Sequence, residues 1–464
     1  MSTKTRTNIL IVASALSVIN SGDAFTQEAL SLLPGVKLTL DVAHGITVSD
    51  NYSNVADPAG ASGVLTTDLT FGLESKTRTQ TISLAFGGQT VLGHLADDGG
   101  DTFGFQNPSG TLDYTQSGAS TTLAVQAGYQ QLDVNDTEIA DTFTSTDLIY
   151  DNGTLEQITA NLQMEFGTRS PIGAAFSLGY SDSTYQDTTD PDLVDTLNFS
   201  VDAYLRVDLS RTAELKLIAR FSETDQDDLL DSKQSTQNFG LGLAYTLSPT
   251  LVFGSDVTFD RRESRTTVLG VESSGIDEGI STALSLTRQL PNGSLGAIFN
   301  SAVITGGRSA SLTVERKMEL KRAKVTYSFG ASQTNSNGID PLLSVFYQGE
   351  VPRASYTVQL SQGASTNLDG DRFLNSDISL GYAYDLNSIS SLALNLSHRV
   401  ADAQALLGID RAQSNFSVSY TRELTKDWDL RASYRHRFVD ADGSAAVRSN
   451  TIAATISRSY LSRR

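Results

Sequence analysis

The chain of 464 residues contains no cysteine. That excludes a disulfide framework and suits passage through an oxidising compartment, where stray thiols would pair wrongly. Long apolar runs are equally scarce. Hydrophobic residues make up 39% of the chain, yet beyond the N-terminus they never gather into the stretch of about 20 that a spanning helix needs. The four histidines, at 44, 94, 398 and 436, have no metal-ligand spacing. His94 stands beside Asp97 and Asp98, and His398 near Asp402; neither grouping assembles a nucleophile, base and orienting group, and loop-edge placement accounts for both. Gly87-Gly88 and Gly99-Gly100 suit strands and turns, not a phosphate cradle. Neither enzymatic chemistry nor nucleic-acid binding is expected.

What the chain does have is alternation. Leu392, Leu394 and Leu396 stand against Ser391, Ala393, Asn395 and Ser397, and Phe239, Leu241, Leu243, Tyr245 and Leu247 against Asn238, Gly240, Gly242, Ala244 and Thr246. Period two is the strand period. In a soluble protein a few such strands would complete a core, but here the pattern restarts about every twenty residues to the C-terminus. Because lipid offers backbone groups no water, only helices and closed barrels cross it. The expected fold is therefore all-β: a transmembrane antiparallel up-and-down β-barrel of about 22 strands, within roughly 18 to 24. A soluble β-solenoid also repeats at about twenty residues. It does not predict connections that alternate in length.

The connections do alternate. Tight ones include Arg169-Ser170-Pro171, Pro291-Asn292-Gly293 and Asn387-Ser388, while the long set includes 51–63, 93–107, 134–153, 186–194, 225–233, 263–274, 364–371 and 402–410. Short periplasmic turns and longer outer loops are the asymmetry of outer-membrane barrels. Gly306-Gly307 is short where the scheme asks for a long loop. At the N-terminus, Lys4 and Arg6 precede an apolar stretch from Ile9 to Ile19 and then Gly22-Asp23-Ala24, the pattern of a signal peptide cleaved after Ala24. This gives 1–24 as signal peptide and 25–464 as one barrel domain. Only about ten residues then precede the first strand, so no plug domain is expected.

The net charge is −19 and the acids cluster. A candidate acidic outer mouth comprises Asp97, Asp98, Asp101, Asp187, Asp190, Asp192, Asp225, Asp227 and Asp228, a set that would concentrate cations or simply keep the loops solvated. On the small, polar side of the strands lie the candidate lumen-lining residues Asp202, Tyr204, Arg206, Asp208, Lys216, Arg220, Asp256, Glu315, Arg431, Arg435 and Arg437. They would either set selectivity in a pore or brace the wall as ion pairs. No cofactor is expected. Loop calcium is a lesser alternative at Asn367-Leu368-Asp369-Gly370-Asp371 and Asp440-Ala441-Asp442-Gly443, where oxygens alternate around a glycine without completing an EF-hand.

These features resemble the outer-membrane β-barrel proteins of Gram-negative bacteria. More narrowly, Gly35-Val36-Lys37-Leu38-Thr39-Leu40-Asp41-Val42, running on to Val48-Ser49-Asp50-Asn51-Tyr52, is similar to the first strand of barrels associated with exopolysaccharide export systems. The chain departs from the general pattern at its end, Tyr460-Leu461-Ser462-Arg463-Arg464, which is not aromatic. The resemblance implies residence in the outer membrane, contact with lipid and lipopolysaccharide, and assembly by the barrel-assembly machinery, with Tyr460 as the terminal recognition residue. Two roles stay open. One is a porin-like pore or export channel for small solutes or polysaccharide; the other is a non-conducting barrel whose acidic loops bind divalent ions, lipopolysaccharide or partners.

Overall fold

Runs in which Leu, Val, Ile, Phe and Tyr alternate with Ser, Thr, Asn and Gly favour extended backbone, where the two side-chain sets point to opposite faces. Each run forms a strand. The computed structural model describes residues 36–96, 100–134, 153–188, 193–228, 231–268, 271–335, 338–366, 372–403, 410–441 and 445–462. The expected signal peptide lies outside them.

The strands in chain order are β1 (Val36–Ser49), β2 (Ser62–Lys76), β3 (Gln80–Leu95), β4 (Gly100–Ser117), β5 (Thr121–Asp133), β6 (Thr154–Phe166), β7 (Ile172–Gln186) and β8 (Thr196–Asp208). Next come β9 (Ala213–Gln226), β10 (Ser232–Ser248), β11 (Leu251–Val268), β12 (Val271–Leu290), β13 (Gly293–Ile304), β14 (Gly307–Leu320) and β15 (Ala323–Thr334). The wall finishes with β16 (Ile339–Val351), β17 (Ala354–Thr366), β18 (Arg372–Asn387), β19 (Ser390–Ala403), β20 (Arg411–Thr425), β21 (Trp428–Ala441) and β22 (Val447–Ser462). Each strand pairs antiparallel with its chain neighbours, and β1 also pairs with β22, from Leu38↔Ser462 to Ser49↔Thr451, so the sheet closes. Twenty-two staves about 4.8 Å apart and tilted by about 40° enclose a cylinder roughly 40 Å across.

Cross-strand partners share a face, so rows can be followed around the wall. Phe239, Phe259 and Ile280 form one row across β10, β11 and β12, and they are 60%, 50% and 57% exposed. The row one residue away, Asn238, Asp260 and Gly279, faces the interior. The fold is inside-out: large apolar side chains cover the outer surface, while the buried apolar residues are a sparse set such as Val64, Val91 and Ile218. In water such a surface would aggregate; in a bilayer it is the solvated face.

Two connections expected to be long loops are largely strand. β3 and β4 extend to Leu95 and from Gly100, and β11 and β12 to Val268 and from Val271, turning 93–107 and 263–274 into hairpins that rise past the membrane. The reason is visible on β11. Beyond Phe259 the outward row becomes Arg261, Glu263 and Arg265, so both faces are polar and the alternation vanishes although the backbone ladder continues. The Gly306-Gly307 connection is a tight turn, with φ of +73° and +151°.

Candidate functional site

The interior wall is built from the small, polar half of every strand. On β8 and β9 the register sets Asp202 opposite Arg220, Tyr204 opposite Ile218, Arg206 opposite Lys216 and Asp208 opposite Glu214. Asp202 lies 3.4 Å from Arg220; Arg206 lies 3.8 Å from Asp208 and 3.9 Å from Glu214, and Lys216 lies 3.2 Å from Glu214. Arg206 also donates to the carbonyls of Gly167 at 2.9 Å and Ser170 at 3.0 Å, tying the wall to the turn before β7. The Lys216 ammonium sits 5.5 Å from the centre of the Tyr204 ring. Asp256 lies opposite Gly242, which in turn lies opposite Lys216. Glu315 pairs with Lys317 at 3.0 Å. Most of these charges thus have an opposite charge beside them, and such exposed pairs are worth about 0–1 kcal/mol each. Arg431, Arg435 and Arg437 form a stripe along β21, opposite Thr421, Ser417 and Asn415 of β20 and opposite Thr455, Thr451 and Ser449 of β22.

That stripe borders a cavity of about 890 Å³ spread over the inner faces of β17 to β22 and β1 to β3. Its lining is rich in hydroxyl and amide groups, including Thr357, Gln359, Asn395, Gln413, Asn415 and Ser417, and it also takes in Arg435 and Arg437. Two polar contacts organise it. Arg399 Nε donates to Asp377, both about one-quarter exposed, and Gln89 Nε2 donates to Asp68 at 2.7 Å. Sequence reading missed Asp68, Asp377 and Arg399. Each falls on the polar side of an alternating run, which marks the face, but the pairing across strands is set by register.

Of the expected acidic mouth, Asp97, Asp98, Asp190 and Asp192 lie outside the described residues. Asp101 is 3.2 Å from His94 and Asp225 is 3.5 Å from Lys233. Asp228 accepts from the backbone N–H of Ser232 at 2.9 Å, Asp187 adopts a φ of +58°, and the Asp227 N–H donates to the Asp195 carbonyl at 2.9 Å. His398 is not at a loop edge: it lies within β19 and bonds Ser414 at 2.8 Å. For calcium, 367–371 and 442–443 are outside the described residues, and among the described residues no group of three metal-ligating side chains comes together.

Above the lipid, the outward faces of β9 to β12 carry a ladder of ion pairs. Lys233 meets Glu223 at 2.7 Å, Arg265 meets Glu263 at 2.7 Å and Glu272 at 3.8 Å, and Arg261 meets Glu278 at 3.8 Å. The hydrogen bond from Arg265 holds the Glu263 carboxyl below the usual carboxylate range. A lowered value means that the stabilisation is complete above the ordinary carboxylate range and fades as pH falls through the lowered one. Hydrogen exchange of 262–276 in nanodiscs, corrected for intrinsic rates, should therefore speed up on acidification. Glu263→Gln should show the faster exchange already at neutral pH.

No protein-family model matches the chain, and no curated protein matches it. Solved structures do. The FrpB iron transporter from Neisseria meningitidis (F5-1 variant) is 9% identical, with a TM-score of 0.59 over 94% of this chain and 84% of that one. The ferric-catecholate import receptor Fiu from E. coli K12 is 8% identical, with a TM-score of 0.58 over 91% and 81%. The ferric yersiniabactin uptake receptor FyuA from Yersinia pestis is 12% identical, with a TM-score of 0.52 over 92% and 81%. At these identities the likeness carries the fold, a closed 22-stranded barrel of the outer-membrane kind. It corrects one expectation. The absence of a plug domain does not stand, because 22-stranded outer-membrane transporters of this architecture have a plugged lumen; a short N-terminal segment is no guide to what fills so wide a cylinder. The narrower likeness to exopolysaccharide export barrels finds no support in these neighbours, whose printed names are an iron transporter, an import receptor and an uptake receptor.

Proposed function

We propose that the barrel carries small polar solutes across the outer membrane along its inner wall. The observation behind this reading is the hydroxyl- and amide-lined cavity bordered by Arg435 and Arg437. A wall meant only to span lipid gains nothing from a continuous polar interior, whereas a permeating solute exchanges its hydration for such groups. The printed names of the structural neighbours, an iron transporter, a ferric-catecholate import receptor and a ferric yersiniabactin uptake receptor, agree with carriage of solutes. The candidate lumen residues divide accordingly, with the β8–β9 ion pairs bracing the wall and the β21 arginines facing what passes. Export as a 1–24 signal peptide plus a 25–464 barrel, and insertion by the barrel-assembly machinery through Tyr460, complete the proposal.

The test is ion current through purified protein in planar bilayers. Stepwise conductance is expected, and silence at every voltage and salt concentration would end the reading of a path open along the inner wall, whether because the lumen is filled or because the barrel is a non-conducting surface module. The arginine stripe makes a sharper forecast. Screening lengths are about 8 Å at 0.15 M and about 30 Å at 0.01 M ionic strength, against a lumen radius of about 20 Å. Arg435→Glu with Arg437→Glu should shift reversal potential toward cation selectivity in 10 mM KCl and scarcely at all in molar KCl.

A further inference from the structure

The outward face at the periplasmic end of the β20–β22 sector carries cations set against aromatic rings. On β22 the outward row is Ile452, Ala454, Ile456, Arg458 and Tyr460, of which Ile452, Ile456 and Tyr460 are among the exposed hydrophobics. Arg458 lies opposite Val42 of β1, two residues from the last outward aromatic. Its guanidinium carbon is 4.4 Å from the centre of the Tyr460 ring and 5.2 Å from that of Trp428, and Asp427 in the short β20–β21 turn is 3.6 Å away. Its Nε is buried and makes no hydrogen bond. Arg422 of β20 shares the outward face, because it lies opposite Leu430, which lies opposite Ile456. Lys426 stands in the same turn as Asp427. Arg458 and Arg422 thus share the outward face with Asp427 beside the first, while Glu423 and Asp429, opposite each other and in register with Ser457, belong to the inward row.

We infer that this patch binds the phosphate of an anionic phospholipid of the inner leaflet. Stacking between two rings holds the guanidinium at headgroup depth, since aromatic faces attract cations and amphipathic rings settle at the interface. A guanidinium presents N–H groups in a planar fork suited to phosphate, and the Asp427 carboxylate leaves part of that fork unmatched. On the outward face two guanidiniums, Arg458 and Arg422, stand against the one Asp427 carboxylate, which favours an anionic headgroup over a zwitterionic one. The short-turn end of the barrel faces the periplasm, so the ligand is a phospholipid and not lipopolysaccharide.

Trp428 is the single tryptophan of the chain, so its fluorescence reports this site alone. The barrel would be refolded in phosphatidylcholine vesicles containing brominated-chain phosphatidylglycerol or, at equal mole fraction, brominated-chain phosphatidylcholine. Quenching by the anionic lipid should be at least about twofold stronger. Arg458→Gln should bring the ratio near one, Arg422→Gln should lower it partly, and Asp427→Asn should raise it. Because the last change increases the signal, misfolding cannot imitate the pattern, and heat-modifiable gel migration confirms that each variant is folded. A wild-type ratio of one, or a ratio unmoved by Arg458→Gln, overturns the site.

Discussion

Leu396→Arg is expected to cost the folded barrel about 2–4 kcal/mol in lipid vesicles, the penalty for a cation facing hydrocarbon near the bilayer midplane. Leu396 sits in the outward row with Leu380 and Phe416, and the three are 42%, 40% and 37% exposed. Nothing along that row offers the guanidinium a carboxylate, so its alternatives are to drag water into the lipid or to distort β19. Asn395, one residue earlier, lines the interior cavity and donates to Ser417 at 3.5 Å. Asn395→Arg should therefore change stability by no more than a few tenths of a kcal/mol, because its side chain extends into a wet, wide lumen. Urea-dependent folding into vesicles measures both. The contrast carries the inference: a slip of one residue in register swaps every side chain between lipid and lumen, so comparable penalties for the two variants would mean that the faces have been assigned wrongly.

The wall was legible in sequence because lipid imposes a rule on every stave. Leu392, Leu394 and Leu396 announce the outer face without reference to any other strand, and tight turns such as Pro291-Asn292-Gly293 mark where one stave ends and the next begins. The rule lapses outside the membrane. There Arg261, Glu263 and Arg265 occupy the outward positions, polarity no longer alternates, and strand reads as loop. The interior was legible only by face. Alternation sorts Asp377 and Arg399 to the polar side but is silent on their meeting across β18 and β19, since that depends on how a hairpin is registered and not on local pattern. The lipid-facing Arg458 escaped for the opposite reason: an arginine at an outward position breaks the rule, and only its aromatic neighbours make it intelligible. What fills the cylinder is a matter of the space enclosed, and period-two patterning carries no information about it.

Gly240→Val is expected to be strongly damaging although it adds only an apolar side chain to the inner wall. Gly240 lies opposite Thr258 on β11 and Ile218 on β9. A Cβ added there would run into the Val257 carbonyl oxygen and stand 2.6 Å from Thr258 Cγ2 and 2.7 Å from Thr258 Cα. Those atoms cannot swing aside as a flexible side-chain tip could, because two belong to the β11 backbone and Thr258 is itself 8% exposed, with its hydroxyl donating to the buried Asp260 at 2.6 Å. Ile218, 7% exposed, closes the other side. Relief requires β10 and β11 to part. Overpacking of this kind costs about 1–3 kcal/mol, and each ladder bond stretched in the process removes roughly 0.5–1.5 kcal/mol more, so a loss of about 3 kcal/mol is anticipated. Gly104 on β4 supplies the control: a Cβ there meets nothing within 4 Å, and a β-branched residue suits an extended strand, so Gly104→Val should be neutral within about 0.5 kcal/mol. Urea titration of the two variants in the same vesicles separates a glycine required by the close approach of a neighbouring backbone from one that merely belongs to the small-residue face; similar midpoints would show that β11 does not press on β10 as described.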